Sequence, residues 1–365
     1  MKIQITQNNL NRALGLLSRV ASSRTPLPIL ANILLKASDN KLELAATNLE
    51  VAITHSANGK INEEGAVTVP AKLLHEFVAQ LPKDSTVDLV FEKTKLFVNA
   101  GSYSSHMQGA TADDFPALPK IAGGASVEIK GDDLKAALQR TMLAASHDES
   151  RPVLCGIYFH TNGGKLYIAA TDGYRLAEVA LADVETEVNC IVPSPALQDT
   201  LRIVQESEEA TVKLQFDEGQ FGVASGDTHL VSRLVDGQYP EYKQLIPESS
   251  DIEFTVERED LLTAAKLAGL FARESGGSIT IKASDVSNEV VVSSVASQVG
   301  DNSSVINGSV QGSGEVVLNV RYLTEALNCF DTKDITFRFS GSISPCVLTS
   351  SSQPGYQHIV MPLKS

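Results

Sequence analysis

The chain repeats one pattern three times, and that repetition constrains its fold more than any other feature. The copies open at Ile3 (IQITQNNLNRALGLLSRVAS), Val127 (VEIKGDDLKAALQRTMLAAS) and Phe254 (FTVEREDLLTAAKLAGLFA). Their apolar positions superpose: Ile5, Ile129 and Val256; Leu10, Leu134 and Leu261; Ala13, Ala137 and Ala264. Each copy alternates briefly, as a strand does, then shifts to helical spacing after a polar or acidic cap. Downstream, PILANILLKASDNKLELAATN from Pro28 lies over PVLCGIYFHTNGGKLYIAATD from Pro152 at a constant offset of 124. A second helix signal recurs as VPAKLLHEFVAQL, VPSPALQDTLRIV and LNVRYLTEALNCF, each followed by alternating stretches. Phe115-Pro116 and Tyr239-Pro240 correspond at the same offset. Each unit therefore predicts strand, helix, strands, twice over: an α+β domain of two helices and antiparallel hairpins. The Gly-rich IAGGAS (121–126) and the polar PESSD (247–251) place the domains at 1–123, 124–249 and 250–365.

The net charge is −14, which argues against a strongly basic nucleic-acid binder. Its distribution matters more than its total. The predicted helices (8–24, 71–83, 132–151, 195–205, 257–274 and 320–331) carry +1 together, whereas the rest of the chain carries −15. Many helix acids, such as Asp132, Asp133, Glu259 and Asp260, fall in first turns, where they favour the helix dipole. The helix bodies then show Arg12, Arg19, Arg24, Lys72, Lys135, Arg140, Arg202, Lys266, Arg273 and Arg321, a mildly basic surface on an acidic protein. The cysteines (Cys155, Cys190, Cys329 and Cys346) are far apart, which predicts neither a metal site nor a disulfide scaffold and suits a reducing cytoplasm. No apolar leader or membrane-length run is present, so neither secretion nor membrane insertion is expected.

Catalytic patterns are missing. The chain has no phosphate loop, no G-x-G-x-x-G, no H-E-x-x-H and no G-x-S-x-G, and its seven histidines are dispersed. Asp113-Asp114 precedes Phe115-Pro116 and reads as turn chemistry. Asp172 in TDGYR invites a catalytic reading, but its counterpart in the first copy is Asn48, another turn former. No cofactor and no metal are expected.

TPLPILAN (25–32), LAATNLE (44–50), LYIAATDGYRLA (166–177), SRLVDGQYPEY (232–242) and HIVMPLK (358–364) resemble, in order and over the whole chain, the bacterial DNA sliding clamps, the beta subunits of DNA polymerase III. The resemblance implies a non-catalytic processivity factor. It implies three clamp domains per chain and two chains closed head to tail into a homodimeric ring around duplex DNA, with no base-specific readout. Twelve helices spaced roughly 10 Å apart would set their axes on a circle about 38 Å across. Subtracting a helix diameter of roughly 10 Å leaves a hole near 28 Å, wide enough for a duplex. Arg24, Lys72, Arg140, Arg151 and Arg202 are the expected DNA-facing residues. Ser105 and Met107 on an edge strand, and Phe271 at a helix end, are the expected dimer contacts.

The resemblance also implies one peptide-docking cleft per chain for short apolar motifs of the polymerase III core, the clamp loader, other polymerases and repair proteins. Carried over residue by residue, it comprises Leu154, Thr171, Gly173, Tyr174, Arg175, Leu176, Pro240, Gln244, Leu245, Ile359, Val360, Met361, Pro362 and Leu363. Two features of the residues point to the same place. The first two copies agree through K-L-x-[LI]-A-A-T and then part, Asn48-Leu49-Glu50 against Asp172-Gly173-Tyr174. The apolar run Ile359–Leu363 near the last residue is expected to dock on something or to be a ligand site, with Arg175 offering hydrogen bonds at the rim. Gln244 stands where the family often has a basic residue, and the chain ends on the polar Ser365.

Overall fold

The computed structural model describes residues 1–21, 27–39, 41–296 and 300–363. Arg24 and the terminal Lys364-Ser365 lie outside the described residues. Two helices arise in each repeat: α1 (Gln7–Leu17) and α2 (Ala71–Gln80), α3 (Gly131–Thr141) and α4 (Ser194–Glu206), α5 (Arg258–Phe271) and α6 (Val320–Leu327). Local chemistry sets their starts. The Thr6 side chain accepts from the Asn9 amide ahead of α1, and Asn319 accepts from the Arg321 amide (2.9 Å) ahead of α6. Asp132 and Asp133 occupy the first turn of α3 and Arg140 its last, as the helix dipole favours. In α1 the buried Leu10, Ala13, Leu14 and Leu17 form one apolar stripe.

Several helices stop short of their predicted ends. α3 gives way after Thr141, whose hydroxyl bonds back to the Ala137 carbonyl (2.9 Å), and a 3₁₀ turn (Met142–Ala144) follows. Residues 145–151, expected as helix, form irregular chain around Asp148.

Two compact units result: Met1–Lys135 with Pro195–Leu234, and Ala136–Ser194 with Val235–Ser365. The second repeat is therefore shared between units, and the sheets explain why. In the first unit, an eight-stranded antiparallel sheet runs from second-repeat into first-repeat strands, joined where Thr228–Arg233 pairs with Val51–Asn58. In the second unit, a nine-stranded sheet does the same between the second and third repeats, joined where Arg175–Asp183 pairs with Tyr356–Val360. Each unit adds a smaller sheet. One has five strands and ends on the edge strand Tyr103–Gln108; the other has four and ends on Gly300–Asn307.

Candidate functional site

Matched turns follow the matched strands Lys41–Thr47 and Lys165–Thr171. In the first, Asn48 Oδ1 accepts from the amides of Glu50 (3.0 Å) and Val51 (2.8 Å), and the Thr47 hydroxyl donates to the Val51 carbonyl (2.9 Å). In the second, Asp172 Oδ1 accepts from Tyr174 (2.9 Å) and Arg175 (3.0 Å), and Thr171 donates to the Arg175 carbonyl (2.6 Å). Asp172 is thus a turn former. Where Leu49 is forced to φ +76°, the second turn has Gly173 at φ +93°, which removes the side-chain strain and leaves Tyr174 61% exposed beside it.

Arg175 is not at a rim. It is 4% exposed, with Nε 3.0 Å from Asp172, another guanidinium nitrogen on Glu325 of α6, and its charge 4.8 Å from the centre of the Tyr322 ring. The rim reading fails because the partners that bury it, Glu325 and Tyr322, come from the third repeat. Burial alone would raise the Glu325 carboxyl, but hydrogen bonds from Arg321 and Arg175 reverse this and hold it below its ordinary value.

The terminal apolar run takes the first of its two expected courses and docks. Ile359 (2% exposed) and Val360 (fully buried) lie within the strand Tyr356–Val360, where Leu176 faces Ile359 and Arg175 faces Val360. The run docks on its own sheet. Beyond it, the Met361 amide donates to the Tyr174 carbonyl and the Leu363 amide to the Val317 carbonyl, each at 2.8 Å. Met361, Pro362 and Leu363 remain half-buried.

These elements converge on one cluster: Leu154, Ala169, Leu176, Ile191, Tyr239, Tyr242, Val347 and Ile359. Burying Leu154, Leu176 and Ile359 contributes about 2 kcal/mol each. Around that floor stand the exposed Gly173, Tyr174, Pro240 and Gln244, and Leu245 at 48% exposure. The structure so gathers all the predicted cleft residues in one unit. Tyr158, Tyr239, Tyr242 and Val347 were missed from the sequence; the recurring aromatic-Pro pair at 115 and 239 was the available signal for Tyr239.

The predicted DNA-facing residues are largely paired. Lys72 lies 3.9 Å from Glu76, Arg151 3.3 Å from Asp148 and Arg202 2.6 Å from Asp199. Arg140 is committed to the chain: it reaches Asp331 (3.6 Å), donates to the Cys329 carbonyl (3.3 Å) and sits over the Tyr356 ring. Of the predicted dimer contacts, Met107 is 3% exposed, so its side chain belongs to the core and only its backbone reaches the sheet edge. Ser105 and Phe271 are half-buried. Among the described residues, no helix is long and apolar enough to cross a membrane.

Known proteins identify the family. Family models of the DNA polymerase III beta subunit match the chain end to end: the N-terminal domain over residues 1–119, the central domain over 128–241 and the C-terminal domain over 243–364. The beta sliding clamp of Synechococcus elongatus is 35% identical over 373 residues, which cover 100% of this chain and 99% of that protein. The chain belongs to the beta sliding clamp family. It is a DNA sliding clamp of three α+β clamp domains, a non-catalytic processivity subunit of DNA polymerase III. Solved clamps share the fold over the full chain. That of Pseudomonas aeruginosa bound to griselimycin is 26% identical, with a TM-score of 0.94 and 100% of both chains covered. That of C. crescentus, with PEG bound to a proposed beta-motif tethering region, is 27% identical, with a TM-score of 0.93 and coverage of 100% of this chain and 99% of that one.

Proposed function

We propose that two copies of this chain close head to tail into a ring around duplex DNA, and that partner proteins dock by short apolar peptides on the Leu154–Leu176–Ile359 floor. The strand pairing carries the ring. Val51–Asn58 of the first repeat pairs with Thr228–Arg233, the last strand of the second. Its counterpart Arg175–Asp183 pairs with Tyr356–Val360, the last strand of the third. The third repeat's counterpart, Gly300–Asn307, is an edge strand, and so is the first repeat's last strand, Tyr103–Gln108. A third joint of the same kind requires a second copy, and by two-fold symmetry it forms twice and closes. Both edges expose apolar groups otherwise unexplained: Tyr103 (53%) on one, and Val305 (60%) on the other, with Leu267 (44%) and Leu270 (56%) on the helix α5 that packs against it. α5 packs against Gly300–Asn307, which brings Phe271 near the same edge.

Light scattering at micromolar concentration is expected to give a dimer. Val305→Asp combined with Leu270→Asp would bury charge in the joint and shift the protein to monomer, weakening association at least about tenfold per substitution, or about 1.4 kcal/mol each. A monomeric unmodified protein contradicts the ring.

The paired state of Lys72, Arg151 and Arg202 supports weak, salt-sensitive attraction for phosphates and no fixed docking on DNA. The repeats support a division into domains 1–123, 124–249 and 250–365; the N-terminal and central family matches lie within the first two bounds, whereas the C-terminal match starts earlier, at residue 243. The four free cysteines fit a cytoplasmic site of action. In the docking cleft, a deformable floor and half-buried Met361, Pro362 and Leu363 suit apolar side chains of varied shape. Polymerase III core, clamp loader, other polymerases and repair proteins would then compete for one cleft per chain.

A further inference from the structure

The two sheet joints within the chain are built alike but filled differently. At the joint of the second and third repeats, the strap from Tyr239 to Leu245 lies over the sheet face. Tyr242 is 2% exposed. Its hydroxyl donates to Glu178 and lies 2.6 Å from His160 Nε2; Gln357 donates to the other Glu178 oxygen at 2.8 Å. With its own proton on Glu178, the Tyr242 oxygen is left to accept from His160 Nε2–H. Rings reinforce the seat: Tyr158 stacks on both Tyr239 and His160 with centroids 4.8 Å apart. The Tyr239 hydroxyl accepts from the Thr171 amide (2.9 Å), which ties the strap to the turn that carries Gly173 and Tyr174.

At the joint of the first and second repeats, the offset of 124 puts Lys36 in place of His160, Thr54 in place of Glu178 and Leu118 in place of Tyr242. His229, which faces Thr54, takes the place of Gln357, which faces Glu178. None of the four hydrogen-bonding roles is conserved at this joint, and a cavity of about 480 Å³ lies open between residues 118–121 and the sheet.

We propose that Tyr242, held by Glu178, His160 and Gln357, is the positioning residue that fixes the Tyr239–Leu245 strap as one wall of the docking cleft. The first joint lacks this network, and so the chain presents one cleft and not two. This rests on the cleft reading above. A buried polar network of this kind fixes one geometry when every member is satisfied and loosens when one is removed. The strap carries Pro240, Gln244 and Leu245, so its looseness would be felt directly by a bound peptide.

The test uses the full-length protein and a fluorescein-labelled apolar peptide taken from a polymerase subunit of DNA polymerase III, followed by anisotropy. Tight binding by the unmodified protein that is lost on deleting residues 361–365 establishes the cleft separately. Given that, Tyr242→Phe is expected to weaken the peptide at least about tenfold with the oligomeric state unchanged. Glu178→Met, which keeps the side-chain length but has no oxygen to accept from Tyr242, is expected to do the same. The double variant should lose little more than either single one, because both remove the same hydrogen bond. Amide exchange in residues 242–246 should accelerate in both variants, while exchange in the strand Gly156–Asn162 stays protected. Unchanged affinity in Tyr242→Phe, or additive losses in the double variant, would overturn the proposal and leave the cleft itself standing.

Discussion

Replacing Arg175 with Ala is expected to lower the unfolding free energy by about 3 kcal/mol, the lower end for breaking a buried ion pair. The side chain is 4% exposed and holds Asp172, Glu325 and the Tyr322 ring together. Its loss leaves Asp172, whose side chain is 16% exposed, with a carboxylate no longer balanced. Glu325 is better protected, because Arg321 still reaches it at 2.8 Å and it is partly solvated. That is why the lower end applies. Arg175→Lys keeps a charge but not the planar fork, so it is expected to restore only part of the loss. Urea unfolding of the three proteins measures this. The same variants should weaken peptide docking, since Gly173 and Tyr174 ride on the turn that Asp172 and Arg175 close.

Acid is expected to destabilise the protein through His358. This imidazole is fully buried and its pKa falls to about 3, first because of burial and then because of the Arg175 charge, with Glu325 opposing. Nδ1 lies 3.0 Å from the Tyr356 hydroxyl, and Nε2 has no hydrogen-bond partner among the described residues. Between its ordinary value of 6.5 and about 3, the unfolded chain binds a proton that the native chain refuses. Stability therefore falls as pH drops below 6.5, by up to about 1.4 kcal/mol per pH unit, until the native value is reached. Between pH 7 and pH 5 the unmodified protein is expected to lose about 2 kcal/mol more than His358→Leu, in which this proton is absent. Parallel losses in the two proteins would show that His358 is not the group responsible.

What the sequence made legible was what it repeats. The turn at Thr171-Asp172 was readable because Thr47-Asn48 repeats it, and both fold with the same hydrogen bonds. The helix starts followed from caps and acidic first turns. What was hidden depended on partners distant in the chain. Arg175 read as a rim donor because nothing near it in sequence announces Glu325, 150 residues away. Ile359 and Val360 read as a run that must dock or bind, but the strand they dock on lies in another repeat and nothing near them in sequence names it. Tyr242 had no signal in the repeats, since its first-repeat counterpart is Leu118 and repetition identifies only what is shared. The three repeats are matched by three clamp-domain families, and what they did not announce is that sheets running from repeat to repeat group the chain into two compact units.

The ring is the central claim, and topology tests it most directly. Clamp loaded onto a nicked circular duplex, then passed through a sizing column in moderate salt, is expected to stay with the DNA. Cutting the circle once should release it, because a ring holds the duplex by enclosure and its direct attraction for phosphates is screened by salt. Equal retention on the circle and on the linear duplex would mean direct binding and would contradict a sliding ring.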